Sequence, residues 1–388
     1  MRRSIFNEDH TEFRKLCRDF ISAELAPKYA EFEENGRIPK DFFARMGELG
    51  LIGLQVPEEY GGGGQTSFKY NAILGEETLY QACSLGTLRV HQDLVIPYIL
   101  TYGTDEQKQR WLPGMASGTK LGAIAMTEPG TGSDLTGIRT RAVKDDDHYV
   151  LNGAKTFITG GINADIVLVV ARTADYNESD RRGGLSILVV DTDSPGFEVG
   201  RALDKIGLKT QDTAELFFKD IRVPAHNLLG EEGHAFEYLS HNLPQERMTI
   251  AINAVAAARA AINFATEYAH SRLVFGTPLK EFQNTKFVLA ECSTEVEAGQ
   301  ALIDRALDEL DANTLTPADA ARVKLFASEL QGRVVDKCLQ IHGGYGYITE
   351  YPIARLYADA RVTRIYGGTS EVMKTIIAKD MGLSKSRN

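Results

Sequence analysis

The spacing of apolar residues divides the chain into a helical segment, a strand-rich segment and a second helical segment. Up to about residue 120, apolar side chains recur every three or four positions, as in 13–21, and this period is typical of amphipathic helices. From about 122 to 230, short runs of Val, Ile, Leu and Phe alternate with turn residues, which predicts strands. The helical period then returns. We therefore predict an α+β fold with domains 1–121, 122–230 and 231–388.

Turn and capping signals indicate where individual elements begin and end. Asn152-Gly153 lies between two apolar runs, and both residues tolerate the positive φ of a two-residue hairpin turn. Thr104, with Gln107 three residues later, has the pattern of a capped helix start. Thr316-Pro317 predicts another helix start, and glycine at Gly343 can end that helix.

A carboxylate and a guanidinium stand side by side in the segment 243–247, which reads Leu-Pro-Gln-Glu-Arg. If Pro244 begins a helix, Glu246 lies in the first turn, where the helix dipole favours a carboxylate and lowers its pKa without any catalytic role. If the helix begins near Gly233 and only bends at Pro244, the dipole effect disappears. Burial beside an apolar ligand would then raise the pKa of Glu246.

Composition narrows the possible classes of protein. The chain has 388 residues, of which 43% are hydrophobic and 25% charged, as in an ordinary globular protein. Its net charge of −10 disfavours a nucleic-acid partner. We expect no membrane span, since no apolar run approaches the roughly 20 residues that a span requires. The four cysteines are scattered without a CxxC pair, so we expect free thiols and no metal site.

Three glycine-containing loops could face a ligand, although each also has a plain structural explanation. The loop 127–134 can expose backbone N–H groups and hydroxyls, or can simply be a turn. Arg272 can bind a phosphate with its planar fork, or can merely be a cation favoured at a helix C-terminus. The segment 340–346 can let a ligand approach closely, or can only end a helix.

Taken together, the ordered motifs resemble those of the acyl-CoA dehydrogenase family. These motifs are Thr127 to Ser133, Asn152-Gly153 with Phe157-Ile158-Thr159, Arg272-x-x-Phe275-Gly276, Gln340-x-x-Gly343-Gly344 and Gly368-Thr369-Ser370-Glu371. The similarity covers essentially the whole chain. The sequences of the segments 123–130, 211–218 and 243–247 are most similar to those of the long-chain branch. The resemblance implies a helical N-domain, a middle β-barrel or sandwich, a C-terminal four-helix bundle, bound FAD and a homotetramer.

The resemblance also implies which residues hold the cofactor. Met126 and Thr127 would contact the flavin pyrimidine edge, Phe157 would cover one ring face, and Thr159 would form a hydrogen bond with flavin N5. Ser133 would face a flavin phosphate or the CoA of the substrate. The residues expected to reach the FAD of a neighbouring subunit are Arg272, Phe275 and Gln283, and those expected to hold its ADP half are Gln340, Gly344, Thr369 and Glu371.

The position of the catalytic base departs from the common family pattern. Many members carry a glutamate directly after the tyrosine, where this chain has Gly367 after Tyr366. In the long-chain and isovaleryl branches the base lies on the earlier helix, where this chain has Glu246. The resemblance therefore implies Glu246 as base and the Gly367 N–H as donor to the thioester oxygen, and we expect Tyr366 beside the substrate. Arg247 can steer Glu246 or contact the CoA of the substrate, or can simply lie on a solvated helix face.

The implied reaction is the α,β-dehydrogenation of a long- or medium-chain acyl-CoA to a trans-2-enoyl-CoA. Electrons would pass to an electron-transfer flavoprotein, and the protein would work in the cytoplasm, or in the mitochondrial matrix if it is a processed eukaryotic chain. We expect the segments 91–100 and 235–243 to line the acyl pocket. Two alternatives stay open: a non-catalytic acyl-CoA-binding subunit, and an acyl-CoA oxidase that uses oxygen.

Overall fold

A computed structural model of the chain describes residues 2–383 and begins with a helical domain. Its α-helices are α1 (Glu8–Phe20), α2 (Tyr29–Glu34), α3 (Lys40–Glu48), α4 (Lys69–Tyr80), α5 (Gly86–Val90), α6 (Ile96–Tyr102) and α7 (Asp105–Ala116). The capping box predicted at the start of α7 is confirmed: Thr104 Oγ1 accepts from Gln107 N at 3.3 Å, and Gln107 Oε1 accepts from Thr104 N at 3.0 Å. A π-helical turn, His91–Val95, joins α5 to α6 within the predicted pocket segment.

The middle of the chain forms a mixed sheet. Its strands are β1 (Gly122–Ala125), β2 (Arg141–Asp145), β3 (His148–Thr159), β4 (Ile166–Arg172), β5 (Leu185–Asp191), β6 (Phe197–Ala202), β7 (Thr213–Pro224) and β8 (Leu228–Leu229). Their order is β6-β7-β3-β2-β4-β5-β8, and β1 pairs in parallel with β4. The sheet folds over on itself, because buried side chains of β3 and β7 share one apolar cluster with those of β4 and β5. The opposite faces of β4 and β5 pack on α6 and α7.

The hairpin predicted at Asn152-Gly153 is wrong. Both residues lie inside β3, and the turn between β2 and β3 falls at 146–147 instead. The Asn152 side chain donates to Asp220 Oδ1 at 3.0 Å and accepts from Asp220 N at 2.9 Å, which holds a bulge against β7. Glycine is needed at 153 because a Cβ there would lie 2.5 Å from Thr140 Oγ1.

Long helices form the C-terminal part of the chain. After α8 (Ala235–Ser271) come the short hairpin β9 (Leu273–Val274) and β10 (Thr277–Pro278), then α9 (Gln283–Asp311), α10 (Pro317–His342), α11 (Pro352–Ala360) and α12 (Ser370–Asp380). An alanine-rich core joins α8, α9 and α10, and α12 packs on α10. The helix start predicted at Thr316-Pro317 is confirmed, and the predicted α+β class is confirmed with it.

The position of Pro244 decides whether Glu246 lies in the first turn of a helix or further inside a longer one. Helix α8 begins at Ala235 and continues through Pro244, so Pro244 does not start the helix. Among the residues described, α8 is the helix long and apolar enough to suit a membrane span. However, 72% of its apolar window is buried inside the protein, as expected of a core helix. Glu246 therefore lies well inside a buried helix, away from any helix dipole effect.

Candidate active site

Glu246 lies in the first third of α8, on the side that meets the glycine turn at Gly367. Its side chain is largely enclosed, and burial raises the pKa of its carboxyl to about 7. The nearby cations of Arg247 and Lys324 oppose that rise in pKa. The buried Tyr98 lies near Glu246, whose charge contributes to raising the pKa of Tyr98. A carboxyl with a pKa near neutrality is suited to removing a proton from a weak carbon acid.

The glycine turn between α11 and α12 faces this carboxyl. Gly367 has φ of 60° and Gly368 has φ of 94°, which are backbone conformations that favour glycine. A Cβ on Gly367 would lie 2.3 Å from Ile250 Cδ1 and 3.6 Å from Glu246 Oε1. Glycine therefore leaves a narrow space beside the carboxylate, which a larger residue would close.

The amide N–H of Gly367 is available to a ligand. Within residues 2–383 no backbone or side-chain acceptor takes its hydrogen bond, although Tyr366 N, one residue earlier, donates to Val362 O at 3.1 Å. A free backbone donor next to a carboxylate is an arrangement that can bind a carbonyl oxygen while the carboxylate removes a proton from the adjacent carbon.

Arg247 is buried next to Glu246 without a complete set of partners. Its side chain is 5% exposed, and its Nε has no hydrogen-bond partner in the described part of the chain. Burial lowers the pKa of Arg247, and the Glu246 carboxylate counteracts this. A buried guanidinium with an unused donor fits a polar or anionic ligand group.

A buried carboxylate on the neighbouring helical segment fixes this part of α8. Asp93 is 1% exposed and accepts from Thr249 Oγ1 at 2.9 Å and from Asn71 Nδ2 at 2.7 Å. Arg89 pairs with it at 2.7 Å, and Gln245 Nε2 donates to the Asp93 carbonyl at 2.7 Å. The sequence did not indicate these residues, because no local pattern shows that side chains far apart in the chain will form hydrogen bonds with one another.

The predicted flavin loop is fixed by a buried ion pair. Lys155 Nζ donates to Met126 O at 3.0 Å and to Glu128 Oε1 at 2.9 Å, while Thr156 N donates to Thr127 O at 2.9 Å. Burial lowers the pKa of Lys155 to about 8, and Glu128 opposes that change. The pair, which sequence reasoning also missed, holds the start of the loop rigid, whereas Ser133 further along it is exposed.

Phe157 and Thr159 end β3 at the same loop. A bulge between Lys155 and Ile158 gives Phe157 a φ of 60° and leaves its ring 66% exposed. Thr159 Oγ1 accepts from Gln211 Nε2 at 3.0 Å, so its own hydroxyl hydrogen is free to donate. An exposed aromatic face beside a free hydroxyl donor fits a flavin ring system.

The other predicted cofactor residues fall into two groups. The first, which we call the outer set, consists of Arg272, Phe275, Gln283, Gln340 and Gly344, all exposed at the far ends of α8 and α10 and at the start of α9. Phe275 is 96% exposed, and Arg272 lies over the Tyr345 ring at 5.5 Å. At 1.5 Å per residue, Arg272 lies about 39 Å along α8 from Glu246, so no single flavin ring can contact both.

Thr369 and Glu371 do not join the outer set. Thr369 is the N-cap of α12, where its hydroxyl accepts from Val372 N at 3.3 Å, and Glu371 lies exposed in the first turn. Both therefore lie directly after the Gly367-Gly368 turn. Gln340 and Gly344 therefore lie apart from Thr369 and Glu371 on a single chain, although all four are expected to hold the ADP half of FAD.

Comparison with known proteins identifies the family of this chain. Family models described as the N-terminal, middle and C-terminal domains of acyl-CoA dehydrogenase match residues 7–119, 123–221 and 233–382. The chain is 44% identical to the mitochondrial long-chain specific acyl-CoA dehydrogenase of Sus scrofa, over 98% of this chain and 88% of that protein.

Solved structures agree with this result. A crystal structure of acyl-CoA dehydrogenase from Geobacillus kaustophilus superimposes with a TM-score of 0.95 at 46% identity, covering 98% of this chain and 100% of that one. A glutaryl-CoA dehydrogenase from Mycobacterium smegmatis in complex with FADH2 has a TM-score of 0.90 at 29% identity, covering 99% and 97%. The chain therefore belongs to the acyl-CoA dehydrogenase family of flavoprotein oxidoreductases, which act on a CH–CH bond.

Proposed function

We propose that this protein is an FAD-dependent dehydrogenase that converts an acyl-CoA to its trans-2-enoyl-CoA, with Glu246 as the catalytic base. The observation that carries the proposal is the pairing of the Glu246 carboxyl with the Gly367 turn, where a Cβ would lie 3.6 Å from Glu246 Oε1 and the backbone N–H is free. The family position after Tyr366 holds glycine, so a base must come from elsewhere, and Glu246 is the acid whose Oε1 would lie 3.6 Å from a Cβ on Gly367.

The chemistry assigns distinct tasks to the two groups. The α-proton of a thioester is weakly acidic, and its removal is helped when the carbonyl oxygen accepts a strong hydrogen bond. The Gly367 N–H would donate to that oxygen, and the Glu246 carboxylate would take the proton from the adjacent carbon. FAD, when bound, accepts the hydride that leaves the β-carbon.

The cofactor would lie against the end of β3 and the loop after β1. The rigid backbone at Met126 and Thr127 would face the pyrimidine edge, Phe157 would cover a ring face, and the free Thr159 hydroxyl would donate to N5. Thr369 and Glu371 would hold the ADP half from the same side as the Gly367 turn. Domain boundaries at 121 and 230 would place this cofactor between the three domains.

The CoA part of the substrate would be held by polar groups at the mouth of the site. Ser133 is exposed on the flavin loop, and Arg247 keeps an unused Nε donor beside Glu246. Tyr366 lies near Glu246, and burial raises the pKa of Tyr366 above the ordinary value for tyrosine. We propose that Arg247 and Tyr366 contact the thioester region and Ser133 the outer part of CoA.

We propose a long- or medium-chain acyl group, held by the segments 91–100 and 235–243. Tyr98 lies near Glu246, and the Tyr102 and Tyr238 rings stack at 3.9 Å beyond it, where Asn242 Nδ2 reaches Tyr102 Oη at 3.3 Å. A series of saturated acyl-CoA thioesters of rising length, compared by kcat/KM, tests this part of the proposal. A maximum at four carbons or fewer would reject it.

We further propose a homotetramer that passes electrons to an electron-transfer flavoprotein. The outer set is exposed, as are Phe287 and Phe326 along α9 and α10, and a neighbouring subunit would cover these surfaces. The exposed ring of Phe157 leaves one side of the flavin site open to a protein carrier. The protein would act in the cytoplasm, or in the mitochondrial matrix in a eukaryotic cell.

The decisive experiment replaces the base. Glu246→Gln keeps the size and polarity of the side chain but cannot accept the proton, so anaerobic bleaching of the flavin by acyl-CoA should slow by roughly 10²- to 10⁴-fold. The purified variant should still be yellow, which controls for cofactor loss. Bleaching at the parental rate would reject Glu246 as the base.

The same preparation separates the two alternative functions. A colourless parental protein that takes up no FAD would favour a non-catalytic binding subunit. Peroxide formed stoichiometrically with product, without any electron-transfer flavoprotein, would favour an oxidase.

A further inference from the structure

Lys324 is a buried cation that the mechanism above does not use. It lies on α10 with 0% exposure, and its Nζ donates to the Gly368 carbonyl at 2.8 Å. An ammonium has three donors, and within the described chain this is its single hydrogen bond; no carboxylate lies within 4 Å of it. A buried charge with so few partners is costly to the fold, so its retention calls for an explanation.

The hydrogen bond from Lys324 anchors the glycine turn. Gly367 and Gly368 both have positive φ and carry no side chain that could fix them by packing. Tyr366 N is tied to Val362 O on one side of the turn, and Gly368 O is tied to Lys324 on the other. The direction of the free Gly367 N–H therefore depends on Lys324.

The charge of Lys324 also lies close to the carboxyl of Glu246, because Lys324 Nζ is 2.8 Å from the Gly368 carbonyl and a Cβ on the adjacent Gly367 would lie 3.6 Å from Glu246 Oε1. Lys324 and Arg247 both lower the pKa of Glu246, against the effect of burial. The charged groups around Lys324 come from three helices: Arg247 and Glu246 on α8, Glu329 on α10 and Glu371 on α12. Burial, and next Arg247, lower the pKa of Lys324 itself to about 8, so near pH 7 the lysine is still mainly charged.

We propose, on the basis of the function proposed above, that Lys324 is a positioning residue for this reaction: it orients the Gly367 amide through its hydrogen bond to Gly368 and places a positive charge close to the Glu246 carboxyl. One side chain thereby acts on two groups of the proposed site. These are the Gly367 N–H, which donates to the carbonyl oxygen, and the Glu246 carboxylate, which removes the α-proton.

Three substitutions separate the two effects. Lys324→Met removes both the charge and the donor, Lys324→Gln keeps a donor for the Gly368 carbonyl but no charge, and Lys324→Arg keeps both. Lys337→Met, further along α10 and away from the site, is the matched control. FAD content and the thermal midpoint report whether each variant folds.

The first measurement is the ionisation of Glu246 itself. Infrared difference titration of the holoenzyme follows the protonated carboxyl band that Glu246→Gln abolishes, and it requires no turnover. An opposite charge nearby lowers a carboxyl pKa by about 1–3 units, so the midpoint should rise by at least about one pH unit in Lys324→Met and Lys324→Gln. Lys324→Arg and Lys337→Met should keep the parental midpoint.

The second measurement is the pH profile of anaerobic flavin bleaching. Below the midpoint, Lys324→Met and Lys324→Gln should be about tenfold slower than the parent for each pH unit of that rise. Well above the midpoint, Lys324→Gln should recover, while Lys324→Met stays slow because the turn is no longer anchored.

An unchanged carboxyl midpoint in folded Lys324→Gln overturns the proposal, as does parental bleaching by Lys324→Met at every pH. If Lys324→Met does not fold, Lys324→Gln and Lys324→Arg decide by the same midpoint. A parental protein that acyl-CoA does not bleach would reject the proposed function, and the infrared titration would still test the charge effect of Lys324.

Discussion

In the first third of α8, Glu246 lies next to the glycine turn and near Tyr98 and Tyr366, and burial raises its pKa to about 7. At the end of the same helix, Arg272 and Phe275 are exposed to solvent, with Phe275 at 96%. The first region acquires its chemistry from side chains of one chain. The second offers binding groups that nothing within residues 2–383 covers, which supports our proposal that they contact the cofactor of a neighbouring subunit.

The largest expected effect is a pH dependence of flavin reduction, which the enclosed carboxyl of Glu246 should cause and the exposed groups at the end of α8 should not. A base must be ionised, so the second-order rate constant for anaerobic flavin reduction should fall as pH falls through about 7. The decrease should approach tenfold per pH unit well below pH 7, or roughly 50-fold in total between pH 7 and pH 5. The measurement is stopped-flow bleaching at low acyl-CoA concentration. A profile with its midpoint near 4.5 would mean that Glu246 is not desolvated as described.

A smaller effect should follow from removing the guanidinium of the outer set. Arg272→Met should weaken FAD retention by about 1.5–3 kcal/mol, the usual range for a hydrogen bond to a charged group. FAD fluorescence released on dilution measures this loss, which should grow as the protein is diluted and subunits separate. Arg305→Met, an exposed arginine on α9 outside the outer set, should retain FAD like the parent. Equal retention in both variants would contradict the role of Arg272.

The smallest effect probes the fit between the turn and α8. Gly367→Ala should lower the free energy of unfolding by about 1–2 kcal/mol for the left-handed backbone alone. The methyl group should add a further cost, because its Cβ would lie 2.3 Å from Ile250 Cδ1. Adding Ile250→Val removes that Cδ1 and should recover the second cost only. Denaturant unfolding of the two single variants and the double variant measures the difference, and strict additivity would argue against the contact.

Structural features could be predicted from the sequence where the residues that determine them lie close together in the chain. The capping box at Thr104 and the helix start at Thr316 depend on residues three positions away, so they could be predicted. Asn152-Gly153 failed because its side-chain partner, Asp220, belongs to a distant strand. Whether Pro244 begins or interrupts a helix could not be decided locally, since α8 owes its first turns to tertiary contacts.

The site was predicted only in part for the same reason. Glu246 and Gly367 were found through the resemblance of their motifs. Lys324, Lys155 and Asp93 were not, because a buried charge is recognised by its neighbours, and those neighbours come from other helices and strands. The residue type alone does not distinguish a buried lysine from a solvated one.

Pro244 has a mechanical consequence for the choice of substrate. Proline has no N–H, so the Ser240 carbonyl one turn earlier lacks its usual donor, and α8 is more easily bent there than elsewhere. Pro244 therefore separates the segment 235–243 from Glu246. The helix around Glu246 is held in place because Gln245 and Thr249 both donate hydrogen bonds to Asp93. Under the proposed function, the segment 235–243 can therefore shift to fit acyl tails of different length, while the distance from Glu246 to the carbon whose proton it would remove stays constant.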